Sequence, residues 1–287
     1  PQILRHALET RPLVTAMAAH DPLGARLVEE AGFDAVWASG FELSASLGVP
    51  DAGILGLAEH LEAARRMAAA VALPVVADLD TGYGNAVNLH HAVARYVAAG
   101  TAAIVVEDKT FPKDTSLRPG GRHELVPAAE FQGKIAAALD ARGESALVVI
   151  ARTEALIAGL GLDEALARAA AYREAGADLV LVHSKAKTPD EIEAFVARWD
   201  GGVPLAVVPT AYPAFTEARA AACGKVGLYI YGNHGLRAAV GAVRAAFARI
   251  RAEGAAEGLD AELPSVSDIL ELQGEAGLRR IERDFLG

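Results

Sequence analysis

The sequence predicts an α/β protein of the (β/α)8 TIM-type barrel class, with extra C-terminal helices. Three observations predict it. Short apolar, β-rich runs alternate about eight times with longer segments rich in Ala, Leu, Glu and Arg between residues 13 and 250. Most of the runs are continuously apolar, as parallel strands covered on both faces are. No Gly-x-Gly-x-x-Gly follows the first run, which argues against the doubly wound open sheet that shares this alternation.

The candidate strands span 13–17, 33–39, 73–80, 101–108, 146–153, 177–184, 203–210 and 225–231. The first lies in a stretch (11–19) that begins with a basic residue and ends in small ones like a secretion signal, but its apolar run is short and reads as a buried strand. Helical segments fall at 57–71, 85–100, 163–176, 190–199 and 234–254. Gly32, Gly100 and Gly176 stand where a helix must stop through a left-handed residue before the next strand. Thr188, Pro189 and Glu191 read as N-cap, first helical residue and capping-box acid. Residues 264–286 add an amphipathic helical region, which packs either on its own barrel or on a neighbouring subunit. One domain over 1–287 suffices, with 255–287 as a C-terminal helical extension. The only long connection, 109–126, is expected to be a gating loop over the active face.

The chain is 52% hydrophobic and 22% charged, and 27 Lys and Arg against 37 Asp and Glu leave a formal charge of −10. Such a charge repels phosphate backbones and anionic lipid, so a small-molecule substrate is expected rather than nucleic acid or membrane. No apolar run approaches the ~18 residues of a spanning helix. The single cysteine, Cys223, excludes an intrachain disulfide framework and any multi-cysteine metal site, and suits the cytoplasm.

In a parallel barrel the C-terminal strand ends face the active site. Here they are acidic. The third run ends Asp78-Leu79-Asp80 and the fourth Glu107-Asp108, with Asp51 on the loop after the second. Strand alternation puts Asp78 and Asp80 on one side. Carboxylates that close repel one another unless a divalent cation neutralises them, and oxygen ligands without paired His or Cys favour Mg²⁺, with Mn²⁺ or Co²⁺ as substitutes. Arg152 and His183 end the fifth and sixth runs and face the acidic group as donors, an arrangement that suits a substrate with two poles. Trp37-Ala38-Ser39-Gly40-Phe41 ends the second run in a small turn. Its backbone N–H groups and the Ser39 hydroxyl suit a carboxylate, although a tight turn beside a core tryptophan explains the same residues.

The strings WASGF (37–41), ADLDTGYGN (77–85), VEDKTFPK (106–113), ARTEA (151–155) and VHSK (182–185), with Asp51, are specific in combination. Over nearly its whole length the chain resembles the phosphoenolpyruvate mutase and isocitrate lyase superfamily. The resemblance implies that Asp78, Asp80 and Glu107, with Asp51, surround Mg²⁺ that chelates an α-keto acid, and that Trp37, Ser39, Gly40 and Phe41 bind its carboxylate. It implies that Arg152 and His183 hold the phosphoryl or second anionic group, and that the gating loop carries Lys113 over the substrate. It further implies a last barrel helix exchanged between subunits in a homodimer or homotetramer.

The loop reads Lys113-Asp114-Thr115-Ser116-Leu117, without the Lys-x-Cys-Gly-His string of the carbon–carbon lyases. Thr115 stands where the mutases carry Asn. By resemblance it implies hydrolysis of the carbon–phosphorus bond of phosphonopyruvate to pyruvate and phosphate, with Thr115 as nucleophile or water-orienting group and Ser116 beside it at the substrate. The alternatives are the mutase isomerisation to phosphoenolpyruvate and, further off, a carbon–carbon lyase or oxaloacetate decarboxylase.

Overall fold

A computed structural model describes residues 1–116, 118 and 120–286; Leu117, Pro119 and Gly287 lie outside the described residues. Eight parallel strands close into a barrel in chain order. They are β1 (Val14–Ala19), β2 (Ala35–Ala38), β3 (Val75–Asp78), β4 (Ala103–Glu107), β5 (Val148–Thr153), β6 (Leu179–Val182), β7 (Leu205–Val207) and β8 (Val226–Tyr231). The ring is shut by β1 pairing with β8, Val14 opposite Leu228. The helices before, among and after them are α1 (Gln2–Thr10), α2 (Pro22–Glu30), α3 (Gly40–Ser46), α4 (Leu57–Ala70), α5 (Ala86–Ala98), α6 (Ala128–Arg142), α7 (Gly161–Glu174), α8 (Asp190–Arg198), α9 (Glu217–Ala222), α10 (His234–Glu253), α11 (Val266–Gln273) and α12 (Glu275–Phe285).

The strands follow β-branched runs, and their period of two sorts side chains into two cores. On β4, Ala103 and Val105 point into the barrel with Val148 and Ile150 of β5 and Leu179 and Leu181 of β6. Ile104 and Val106 point outward against α5 and α6, among Leu89, Tyr96 and Phe131. Followed to the C-terminal strand ends and just beyond them, the inward set becomes Ser39, Asp78, Glu107, Arg152, His183 and Thr210, so one geometric rule delivers the polar side chains to the same mouth.

Several local expectations change. Seven of the eight strands are shorter than read, β3 ending at Asp78, while β1 runs on to Ala19. Asp80 therefore lies beyond β3 and adopts a left-handed φ of 51°, so strand alternation is not what orients it. WASGF is not only a turn, since Gly40 opens α3 and Ser39 caps it by accepting the Glu42 N–H at 3.2 Å. Thr188 is not the cap of α8; Pro189 occupies that position, and the Thr188 hydroxyl turns to Asp190 Oδ2 at 2.9 Å. The glycine stops appear as read, with φ of 81° at Gly32 and 98° at Gly176.

The chain divides into two compact units, Pro1–Asn233 and His234–Gly287. The second unit consists of α10, α11 and α12. Arg249 Nη1 pairs with Glu262 Oε1 at 2.7 Å within it. Gly274, with φ of 88°, breaks the amphipathic tail into α11 and α12. No residue of α10 is buried, and Val240, Val243, Phe247 and Ile250 form an exposed apolar stripe at helical spacing.

The long connection after β4 is held at its neck. Thr110 N donates to Glu124 O at 2.9 Å and Val126 N to Asp108 O at 2.9 Å. Asp108, one residue past the inward Glu107, faces outward and receives the Tyr172 hydroxyl at 2.6 Å, while Arg168 Nη1 reaches Val126 O at 3.0 Å. Both α7 side chains thus pin the base of the loop. Tyr172→Phe removes one buried donor and is expected to lower unfolding stability by about 1–3 kcal/mol in a urea titration. An unchanged midpoint would mean that Asp108 finds another donor.

Candidate active site

A cleft of about 550 Å³, open to solvent, lies at the C-terminal mouth of the barrel. Trp37, Ser39 and Phe41 line one wall, Arg152 and His183 another, and Lys113, Thr115 and Ser116 of the loop cover it, with Asp51 and Asp78 between. Gly40 is needed at the wall. A Cβ there would sit 3.0 Å from Asp80 Oδ1 and 3.3 Å from Asp78 Oδ2. Its N–H donates to Asp78 Oδ2 at 3.3 Å, so in this structure that donor serves the acidic group.

Lys113 reaches down from the loop among the carboxylates. Its Nζ lies 2.5 Å from Asp80 Oδ1 and 2.7 Å from Asp51 Oδ1. Burial opposes its charge, but Asp80, Asp51, Glu107 and Asp78 outweigh burial and hold its pKa well above the ordinary lysine value. Burial also pushes Asp51 up, yet the charge of Lys113 and hydrogen bonds from Lys113 and Thr115 bring it below its usual value. Asp78 and Asp80 are less well compensated. Burial first, and neighbouring carboxylates after it, raise each to about 6.

On the opposite wall Arg152 lies 3.3 Å from Glu107 Oε2 and 2.6 Å from Glu154 Oε1. Burial works against its charge, but these carboxylates keep it firmly protonated. His183 Nδ1 is 2.8 Å from Arg152 Nη2 and 3.0 Å from Glu154 Oε1. It accepts from the arginine when bare and donates to the glutamate when it carries the proton, so it makes one bond at a time. Burial and then Arg152 lower its pKa, against the opposing pull of Glu154.

The donor set fits a hard divalent cation by charge. Asp51, Asp78, Asp80, Glu107 and Glu154 face Lys109, Lys113 and Arg152 as the cationic side chains. Fully ionised, this leaves two negative charges, which a divalent ion cancels. Glu107 Oε1 is buried without a hydrogen-bond partner, a lone pair free for a ligand. Among the described residues no three acidic, His or Cys groups are gathered in a ready-made metal cage, and the Lys113 ammonium stands at Asp80 and Asp51.

Sequence reasoning did not find every group at this mouth. Glu154 and Lys109 lie within the ARTEA and VEDKTFPK strings, where sequence shows neither one's partners. Thr210 Oγ1 and Asn233 Oδ1 at the cleft are buried without partners. Continued alternation from Ala206 and Val208 marks Thr210; nothing local marks Asn233.

This is the mouth of a (β/α)8 enzyme that pairs an acidic group with a cationic wall under a loop. The phosphoenolpyruvate phosphomutase profile matches residues 4–251, and the chain belongs to that family. It is 62% identical over 285 residues to the phosphonopyruvate hydrolase of Variovorax sp. (strain Pal2), covering 99% of this chain and 98% of that protein. A crystal structure of phosphonopyruvate hydrolase in complex with oxalate and Mg²⁺ superposes with a TM-score of 0.94 at 60% identity, covering 100% of this chain and 99% of that one. The phosphoenolpyruvate phosphomutase of Streptomyces platensis subsp. rosaceus superposes with a TM-score of 0.97 at 46% identity, over 100% of this chain and 99% of that one.

The raised acids have a stability consequence. The folded chain holds the Asp78 and Asp80 protons more tightly than the unfolded chain, so this contribution is full below about 3.8 and is lost as pH rises through about 6. At neutral pH a cation that relieves the repulsion should stabilise the fold, by ~2.7 kcal/mol at ~100 times its Kd. Thermal melts with Mg²⁺ are expected to exceed those with chelator at neutral pH, the difference shrinking below about 6 and largely vanishing in Asp78→Asn. Equal melting temperatures with metal and with chelator would sink the metal assignment.

Proposed function

We propose that the chain hydrolyses the carbon–phosphorus bond of phosphonopyruvate to pyruvate and phosphate, with Mg²⁺ as cofactor. The observation that carries this reading is the Thr115 hydroxyl. It lines the cleft together with Asp51, Arg152 and His183. A hydroxyl that shares its cleft with a carboxylate and a cationic wall is the constellation a phosphoryl acceptor needs. The 62% identity to a phosphonopyruvate hydrolase supports it, as does the oxalate bound in the related structure, whose vicinal oxygens resemble those of an α-keto acid.

Asp78, Asp80 and Glu107, with Asp51, would hold Mg²⁺; Mn²⁺ or Co²⁺ suit the same oxygen donors. When bound, the ion supplies Lewis-acid polarisation of the substrate's keto oxygen. Trp37, Ser39, Gly40 and Phe41 form the wall for the substrate carboxylate, and Arg152 and His183 take the phosphoryl oxygens, with Lys113 adding charge from the loop. As the carbon–phosphorus bond breaks, its electron pair stays on carbon, which takes up a proton to become pyruvate. Phosphorus gains an oxygen, either from Thr115 and then water or from water that Thr115 orients, and Asp51 accepts the proton of the attacking hydroxyl.

Phosphorus NMR with phosphonopyruvate and Mg²⁺ is expected to show inorganic phosphate in proportion to pyruvate, and none with chelator. Phosphoenolpyruvate as product would instead make the protein an isomerase. Thr115→Ala should cost about 100-fold or more in kcat. Hydrolysis within a few-fold of the parent would rule out a catalytic hydroxyl.

The reading includes self-association as a homodimer or homotetramer, with the last barrel helix exchanged between subunits, and a cytoplasmic location. The exposed stripe on α10 supports the first, with Phe247 68% exposed. The free Cys223 supports the second, and no helix among the described residues is long and apolar enough to cross a membrane. Light scattering should give a multiple of the 29.7 kDa chain mass that Phe247→Glu reduces. A monomer at micromolar concentration would overturn the association.

A further inference from the structure

Glu154 touches more of the site's cations than any role so far explains. It is fully buried, and its two oxygens divide their partners between barrel and loop. Oε1 receives Arg152 Nε at 2.6 Å and lies 3.0 Å from His183 Nδ1, both on strand ends. Oε2 receives the Ser116 hydroxyl at 2.5 Å and faces Lys109 Nζ at 2.9 Å, both on the connection after β4. Ser116 Oγ in turn accepts from Lys109 Nζ at 2.5 Å and from Arg152 Nη2 at 3.2 Å. The backbone of Glu154 is held as well, its N–H donating to Asp108 Oδ1 at 2.8 Å. Asp108 is the group that Tyr172 and Arg168 fix at the loop base.

A long arginine and a half-committed imidazole do not by themselves hold one geometry, because each ordered rotamer costs entropy. A buried carboxylate bonded to both lowers that freedom before substrate arrives. We propose that Glu154 is the positioning residue that sets Arg152 and His183 for the phosphoryl group, and that Ser116 is the latch by which loop closure completes its hydrogen bonds. This rests on the phosphonopyruvate reading above. The geometry is demanding of charge type. A glutamine keeps the shape, but its NH₂ must face either Arg152 and His183 or Lys109 and Ser116, all of them donors save the unprotonated imidazole and hydroxyl lone pairs. One half of the arrangement is then lost.

The test uses the full-length protein with Mg²⁺. Glu154→Gln is expected to lower kcat about 100-fold with an unchanged melting temperature, as a displaced catalytic geometry does. Ser116→Ala should cost about tenfold, the loss of one charge-assisted hydrogen bond. Because the hydroxyl acts through the carboxylate, the double variant should be no slower than Glu154→Gln alone. A second readout does not depend on turnover. Oxalate with Mg²⁺ should slow tryptic cleavage after Arg122 in the parent, and this protection should be lost in both single variants.

A kcat for Glu154→Gln within threefold of the parent, or additive losses in the double variant, would overturn the positioning role. Retained oxalate protection in Ser116→Ala would overturn the latch, and that variant decides the matter if Glu154→Gln fails to fold. If the parent releases no phosphate from phosphonopyruvate, the functional reading fails by itself, while the protection assay still judges the latch.

Discussion

The structure depends on one electrostatic constraint, the burial of more carboxylates than cations at the mouth of a parallel barrel. Removing like charges from water is costly unless each finds a counter-charge. Lys113 settles part of the debt at Asp80 and Asp51, and Arg152 part at Glu107 and Glu154. The remainder stays on Asp78 and Asp80, whose raised pKa values record it. A site in this condition is poised for a divalent ion and for a substrate that carries its own charge pattern.

The barrel makes this concentration geometrically natural. Parallel strands all end at one rim, and their inward faces bring Asp78, Glu107, Arg152 and His183 together from four separate strand ends. The outward neighbours do different work. Asp108, adjacent to Glu107, leaves the cleft and joins Tyr172 and Arg168 of α7, so one residue of register separates a candidate ligand from the brace of the loop. The candidate site and its scaffold are thereby linked through the backbone of two consecutive residues.

The loop is part of the same charge balance rather than a cover laid over it. Lys113 bonds to carboxylates on the acidic side, and Ser116 bonds to Glu154 on the cationic side. Each pairing buries a polar group that would otherwise be solvated, so the position of the loop and the charge compensation are coupled. The second unit, α10 to α12, has a different character. Its polar faces carry helical ion pairs such as Arg279 with Glu275, while the α10 stripe remains exposed.

Local pattern determined the architecture. Continuous apolar runs, glycine stops and helical spacing are short-range properties, so eight strand–helix units and the strand-end set Ser39, Asp78, Glu107, Arg152 and His183 were legible in the sequence, with family strings adding Lys113 and Thr115. Tertiary structure alone decided the rest. Asp80 is turned by a left-handed backbone rather than by strand alternation. Lys113 meets Asp80 across 33 residues, Ser116 meets Glu154 across 38, and Tyr172 meets Asp108 across 64. The physical reason is that periodicity tells which way a side chain points, whereas a buried charge pairs with whatever chain closure brings within reach.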